Sequence, residues 1–136
     1  MKKILVVLGT RPEAIKLAPV IQELRFQTPQ LQSLVCNTGQ HTDLCTSMLA
    51  LFGIQPDLLL NTCDPGQSLS QLMAKLLAQL DLVIGEIKPD WIVVQGDTHT
   101  AFAASLAAFY HQVPIANVEA GLRTYSLHDP FPEEAN

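Results

Sequence analysis

Short, uninterrupted apolar runs alternate along the chain with longer segments in which apolar residues recur every three or four positions. Ile4–Leu8 is the first run; partly β-branched and ended by Gly9, it predicts a strand buried on both faces. Thr10-Arg11-Pro12-Glu13 then predicts a helix start: Thr10 can cap, Glu13 sits three residues on, and proline is tolerated in a first turn. In the helix that follows, Ala14, Ala18, Ile21 and Leu24 share a face, and Pro19 predicts a kink or an unsatisfied carbonyl. Ser33–Asn37 reads as a second strand, Thr38-Gly39-Gln40-His41 as a loop, and Thr42–Phe52 as a helix ended by Gly53. Asp57–Leu60 predicts a short third strand and Pro65-Gly66 a turn. Ser68 with Gln71 makes a capping box for the longest helix, whose apolar positions Leu69, Leu72, Leu76, Leu80, Val83 and Ile87 run until Pro89 ends it. Trp91–Gln95 is a fourth strand, Ala101–His111 an alanine-rich helix, and Ile115–Val118, after Pro114, a fifth strand. This alternation predicts an α/β fold, a parallel sheet with helices on both faces.

Beyond Val118 the pattern changes. Five of the 18 residues from 119 to 136 are charged. Pro132-Glu133-Glu134-Ala135-Asn136 reads as the first turn of a helix, with proline at its start and two acids at the positive end of the dipole. A helix begun without a body predicts that residues 1–136 are one domain of a larger protein.

Composition narrows the class. A chain of 136 residues accommodates one domain, and 48% apolar residues exclude disorder. Only 15% of residues are charged, below the quarter usual in a soluble domain, and the net charge is −5. An acidic chain without a basic patch is expected to bind neither nucleic acid nor a membrane surface. Cys36, Cys45 and Cys63 are odd in number and form no Cys-x-x-Cys pair, which predicts reduced core thiols in a cytoplasmic protein rather than a disulfide framework or a zinc site. Ile4–Leu8 is too short for a signal peptide core, and no run approaches the roughly 18 apolar residues of a membrane span.

Ligands of open parallel sheets bind at the carboxyl ends of the strands. Four such ends carry polar or glycine-bearing segments: Gly9-Thr10-Arg11, Thr38-Gly39-Gln40-His41, Gly96-Asp97-Thr98 and Glu119-Ala120-Gly121-Leu122-Arg123. Arg11 beside helix amides suits a phosphate or diphosphate, or is a surface residue on a plain turn. The dinucleotide and P-loop glycine fingerprints are both absent from the sequence. Asp97, following a buried strand, is expected to be partly desolvated; it suits a general base, a sugar-hydroxyl acceptor or a metal ligand, or simply caps the next helix. Asp97 and His99 form an Asp-x-His pair, a weak metallophosphatase signal without a second Asp/His cluster. Glu119 directly ends an apolar strand, where burial would raise its pKa into a catalytic range; the plainer alternative is an ion pair with Arg123. Glu133 and Glu134 are further carboxylates of the same site or a favourable helix start.

Taken together, Gly9-Thr10-Arg11-Pro12-Glu13-Ala14-Ile15-Lys16, Gln40-His41, Gly96-Asp97-Thr98, Ser105–Tyr110, Val118-Glu119-Ala120-Gly121-Leu122-Arg123 and Pro132–Asn136 resemble the non-hydrolysing UDP-N-acetylglucosamine 2-epimerases. The resemblance runs through essentially the whole chain. It implies the first Rossmann-like domain of a glycosyltransferase-B-type pair, with the second, UDP-binding domain absent from these residues. It implies interconversion of UDP-GlcNAc and UDP-ManNAc with no external cofactor and no metal, by elimination of UDP to a 2-acetamidoglucal and re-addition after C2 has changed configuration. Asp97, Glu119 and Glu133 match the family's catalytic carboxylates. Arg11, Lys16, Thr98 and Arg123 fall in its substrate-binding motifs, and Gln40 and His41 lie near its regulatory UDP-GlcNAc site. The family's catalytic histidine and most of its UDP-binding residues belong to the second domain, so the isolated chain is expected to be inactive and the full-length protein a homodimer. His99, the region around Asp43–Met48 and the Asp64–Gly66 turn depart from the family pattern. Alternative readings are an epimerase for another UDP-2-acetamido sugar and a non-catalytic sugar-nucleotide-binding or assembly domain.

Overall fold

The computed structural model describes residues 1–135, so Asn136, the end of the Pro132–Asn136 motif, lies outside the described residues. Five parallel strands alternate with four α-helices: β1 (Lys2–Leu8), α1 (Arg11–Phe26), β2 (Leu31–Asn37), α2 (Thr42–Leu51), β3 (Leu58–Leu59), α3 (Leu69–Ile87), β4 (Trp91–Gln95), α4 (His99–Tyr110) and β5 (Ile115–Val118). A short 3-10 turn, Glu133–Ala135, replaces the α-helical turn expected after Pro132. The strand order is β3-β2-β1-β4-β5, the Rossmann-like arrangement. All pairings are parallel, with Ile4 opposite both Ser33 and Trp91, and Ile92 opposite Ile115. The order reverses between β1 and β4, so their carboxyl ends flank the crevice where a ligand can enter.

Period-two alternation in β1 divides the core. Ile4, Val6 and Leu8 pack with Ala14, Leu17, Ala18 and Ile21 of α1 and with Cys45 and Leu49 of α2. Leu5 and Val7 face the other way, onto Leu72, Leu76, Leu80 and Ile84 of α3 and the buried alanines of α4. Each fully buried leucine contributes roughly 2 kcal/mol by removal from water. The small side chains of Ala101, Ala103, Ala104, Ala107 and Ala108, all buried, let α4 lie close to the sheet and to α3.

The Ser68–Gln71 capping box forms as expected, whereas the helix after β4 is capped by Thr98 rather than Asp97. The Ser68 hydroxyl accepts from the Gln71 backbone N–H, and the Gln71 amide oxygen accepts from the Ser68 N–H. Pro19 sits within α1. Ile15 and Pro19 are both exposed, so the Ile15 carbonyl that has lost its helical donor faces solvent. α4 starts two residues earlier than expected because the Thr98 hydroxyl caps it by accepting from the Ala101 N–H at 3.0 Å. β5 lies at the edge of the sheet, and its middle residues, Ala116 and Asn117, are exposed. Cys36 and Cys45 are buried free thiols, each pushed up to about 12 by desolvation, whereas Cys63 is exposed. No helix among the described residues is long and apolar enough to cross a membrane.

Candidate active site

Gly9 ends β1 at a point where other chains crowd in. A Cβ there would stand 2.1 Å from the Thr38 hydroxyl and 2.8 Å from that of Thr100, so only glycine fits. Those two hydroxyls bond to each other at 3.0 Å, and Thr100 donates to the Gln40 amide oxygen at 2.8 Å. The backbone is tied as well: Thr38 N–H donates to Leu8 C=O and His41 N–H to Gly9 C=O. Gln40 is thereby fixed at the carboxyl edge by a buried threonine pair, and the carboxyl ends of β1, β2 and β4 are joined by polar contacts rather than by packing alone.

Glu13, the capping-box residue of α1, is fully buried. Its Oε2 accepts from the Gly9 N–H (2.9 Å), the Thr10 N–H (2.8 Å) and the Thr10 hydroxyl (2.8 Å). Its Oε1 accepts from the Thr98 hydroxyl at 2.6 Å. Burial raises its pKa from the ordinary 4.5, and the four hydrogen bonds oppose that rise.

Two cavities meet at Asp97. The larger, about 560 Å³, is walled by Thr10 and Pro12 of the first turn, Gln40 and His41 after β2, Cys63, Asp64 and Gln67 to Leu69 before and at the start of α3, Asp97 to His99 after β4, and Phe131 and Pro132. The smaller, about 200 Å³, is formed by Gly96 and Asp97, by Asn117, and by Glu119 to Arg123. Phe131 packs on the His99 ring with centroids 5.6 Å apart, bringing the C-terminal segment back to the start of α4. Gly96 has φ +70° and donates its N–H to Val118 C=O at 2.9 Å, so the turns after β4 and β5 also adjoin.

The expected site residues fall at this edge with differing surroundings. Asp97 is half-buried, as expected for a residue following a buried strand. Glu119 is not buried: it is exposed, in a left-handed conformation (φ +63°), and both its oxygens accept from Lys16 Nζ, at 2.7 and 2.5 Å. Its ion-pair partner is therefore Lys16 on α1, not Arg123; Val118, the last residue of β5, packs into the core on the α1 side. Arg123 instead donates to the carbonyls of Leu122 and Glu133, at 2.9 and 3.1 Å, which joins the two C-terminal motifs. One carboxylate oxygen of Glu133 is buried without a partner. Glu134 serves structure: its Oε1 accepts from the backbone N–H groups of Tyr125 and Thr124 and from the Thr124 hydroxyl, contacts that hold its pKa below the usual carboxylate range. Arg11 stands exposed between the cavity-lining residues Thr10 and Pro12. Thr98 has its hydroxyl hydrogen committed to Glu13 while its oxygen caps α4.

Sequence reasoning did not single out Glu13, Thr100, Cys63 or Gln67 for this edge, and it named Thr38 only as the first residue of the polar segment after β2. Glu13 carried a visible signal as the N3 residue of a capping box, but nothing in the local pattern indicates that it is buried or that it reaches Thr98. The threonines carried no signal beyond lying just past or near strand ends.

The profile of the UDP-N-acetylglucosamine 2-epimerase family matches residues 23–136 of the chain. A UDP-N-acetylglucosamine 2-epimerase of Neisseria meningitidis serogroup A is 51% identical over 134 residues, covering 98% of this chain and 36% of that protein. Among solved structures, the S. aureus MnaA–UDP co-structure superposes with a TM-score of 0.92 at 49% identity, covering 100% of this chain and 35% of that one. The N. meningitidis UDP-GlcNAc 2-epimerase bound to UDP-GlcNAc gives a TM-score of 0.91 at 51% identity. The chain thus spans about a third of the length of the relatives it matches, 36% in the N. meningitidis protein.

Proposed function

The chain belongs to the UDP-N-acetylglucosamine 2-epimerase family, and from that premise we propose that it supplies the first-domain half of an active site that interconverts UDP-GlcNAc and UDP-ManNAc. The observation that carries this reading is the position of Asp97. It lines both cavities at the β1/β4 crevice, sharing the smaller with Glu119 and Arg123 and the larger with Phe131 and Pro132, next to Glu133 in the chain. Epimerisation at C2 requires a base to remove the C2 proton while the C1–O bond to UDP breaks and a C1=C2 double bond forms. Return of a proton to C2 on the other face, with re-addition of UDP at C1, completes the exchange. Asp97, Glu119 and Glu133 are the carboxylates for those proton transfers. Developing negative charge on the departing diphosphate calls for cations, which exposed Arg11 at the start of α1 offers. Lys16 and Arg123 complete the cationic side of the crevice. The same reading makes the reaction independent of an external cofactor, places the protein in the cytoplasm, and gives the full-length enzyme a second UDP-binding domain and a homodimeric state.

Product analysis by NMR tests it. Incubated alone with UDP-GlcNAc, the chain should form no UDP-ManNAc. Fused to the remaining two thirds of the N. meningitidis relative, it should form the product, and Asp97→Asn in that fusion should lower kcat by about a hundredfold or more, the range of general acid–base contributions. Turnover by the chain alone at enzyme-like rates would overturn the division of labour. An Asp97→Asn fusion with an unchanged rate would overturn the assignment of the carboxylate.

A further inference from the structure

A capping box requires one thing of its glutamate: acceptance from the N-cap backbone N–H, usually at an exposed helix end. Glu13 does this for Thr10 and then goes beyond it. It is fully buried, it accepts additionally from the Gly9 N–H, and it accepts from the hydroxyl of Thr98, a residue 85 positions away. Burying a carboxyl is unfavourable unless each of its oxygens is met by donors. A local cap would not need that burial. What burial adds is the bond to Thr98, a side chain on a different βα turn.

Thr98 follows Asp97 directly. On the N-terminal side of Asp97, Gly96 is held by its N–H to Val118 C=O and by Asn117 Nδ2 donating to its carbonyl. On the C-terminal side, the Thr98 hydroxyl is held at once by Glu13 and by its cap of α4. Asp97 is thus one residue fixed between two anchors, and the second anchor is set by a group on a different βα turn.

We infer that Glu13 is a positioning residue for Asp97: through the Thr98 hydroxyl it ties the β4–α4 turn to the β1–α1 turn and so fixes where the Asp97 carboxylate stands in the crevice. Glu13 is too deeply buried to touch a ligand itself. The consequence of a fixed Asp97 for catalysis rests on the epimerase reading above; the tie itself does not, and it is measurable on this chain without turnover.

The test is NMR of the 13C,15N-labelled chain in four forms: wild type, Glu13→Gln, Thr98→Val and Thr98→Ser. In Glu13→Gln an amide NH2 meets the Thr98 oxygen, the donation to Glu13 is lost, and the α4 cap stays. Hydrogen exchange at the Asp97 and Thr98 amides should then quicken about tenfold, the effect of losing one buried hydrogen bond. The Asp97 carboxyl-carbon resonance should broaden or split, while Ala101 keeps its protection. Thr98→Val should do the same at Asp97 and also release Ala101. Thr98→Ser, which retains both bonds, should behave as wild type. Asp97 resonances that stay single and unmoved in Glu13→Gln, or a Thr98→Ser variant as loose as Thr98→Val, would overturn the inference. If Glu13→Gln fails to fold, the Thr98 pair decides it on the same readouts. Failure of the turnover test with success here would discard the epimerase half and leave the tie standing.

Discussion

Glu13 shows how one residue carries two roles that its local sequence does not separate. As a cap it is a surface feature; as a buried carboxyl it is a titrating group within the crevice wall. Its raised pKa has a definite sign in stability. The folded chain holds the Glu13 proton more tightly than the unfolded chain, whose glutamate titrates near the ordinary 4.5. The contribution of this group is therefore fully present below that value and is lost as pH rises through the folded pKa. Glu13→Gln has no such titration. The melting temperature of wild type minus that of Glu13→Gln should fall as pH rises from about 4.5, measured by thermal unfolding in matched buffers; a flat or rising difference would refute the direction. Glu119 makes the opposite lesson at the same scale. An acid at the end of an apolar strand looked buried in sequence, but the strand is an edge, and the residue is exposed and held by Lys16.

At the scale of elements, the helices and strands follow from pattern and capping chemistry, and the residues that stray do so at the ends. α3 is the clearest case. Leu72, Leu76 and Leu80 are buried as the spacing requires, but Leu69, the first of the series, is exposed and walls the larger cavity. The same period that marks a core face thus also supplied an apolar residue to the crevice. Its capping box is local and independent of that burial. Ser68→Ala removes one half of it and should cost about 1 kcal/mol of stability, read as a lowered urea midpoint at unchanged slope. β3, expected over Asp57–Leu60, is assigned as Leu58–Leu59, although the flanking Asp57 and Leu60 N–H groups still donate to the Val35 and Asn37 carbonyls of β2; beyond it the Thr62 hydroxyl donates to the Thr38 carbonyl.

For the whole molecule, β1 is common to both halves of the core: Ile4, Val6 and Leu8 belong to the α1/α2 side, Leu5 and Val7 to the α3/α4 side. Neither layer can be exposed without removing the strand that supports the other. Unfolding should therefore be a single transition, with far-UV circular dichroism and the fluorescence of Trp91, the one tryptophan, giving the same urea midpoint. Distinct midpoints would show that the layers separate. The parallel α/β class, the element order and the four polar strand ends were legible in sequence because each rests on local quantities: apolar period, turn residues and caps. So was the set of motifs that resembles the epimerases. Tertiary structure alone decided which of those ends adjoin. The sheet order places β4 beside β1 and β5 at the edge, and from that follow the partners: Thr98 on buried Glu13, Lys16 on exposed Glu119, and Arg123 on the Glu133 carbonyl. The physical reason is one of distance along the chain. A hydrogen bond between residues 85 apart leaves no trace in the pattern around either, whereas the strands and helices that bring them together are written in every few residues.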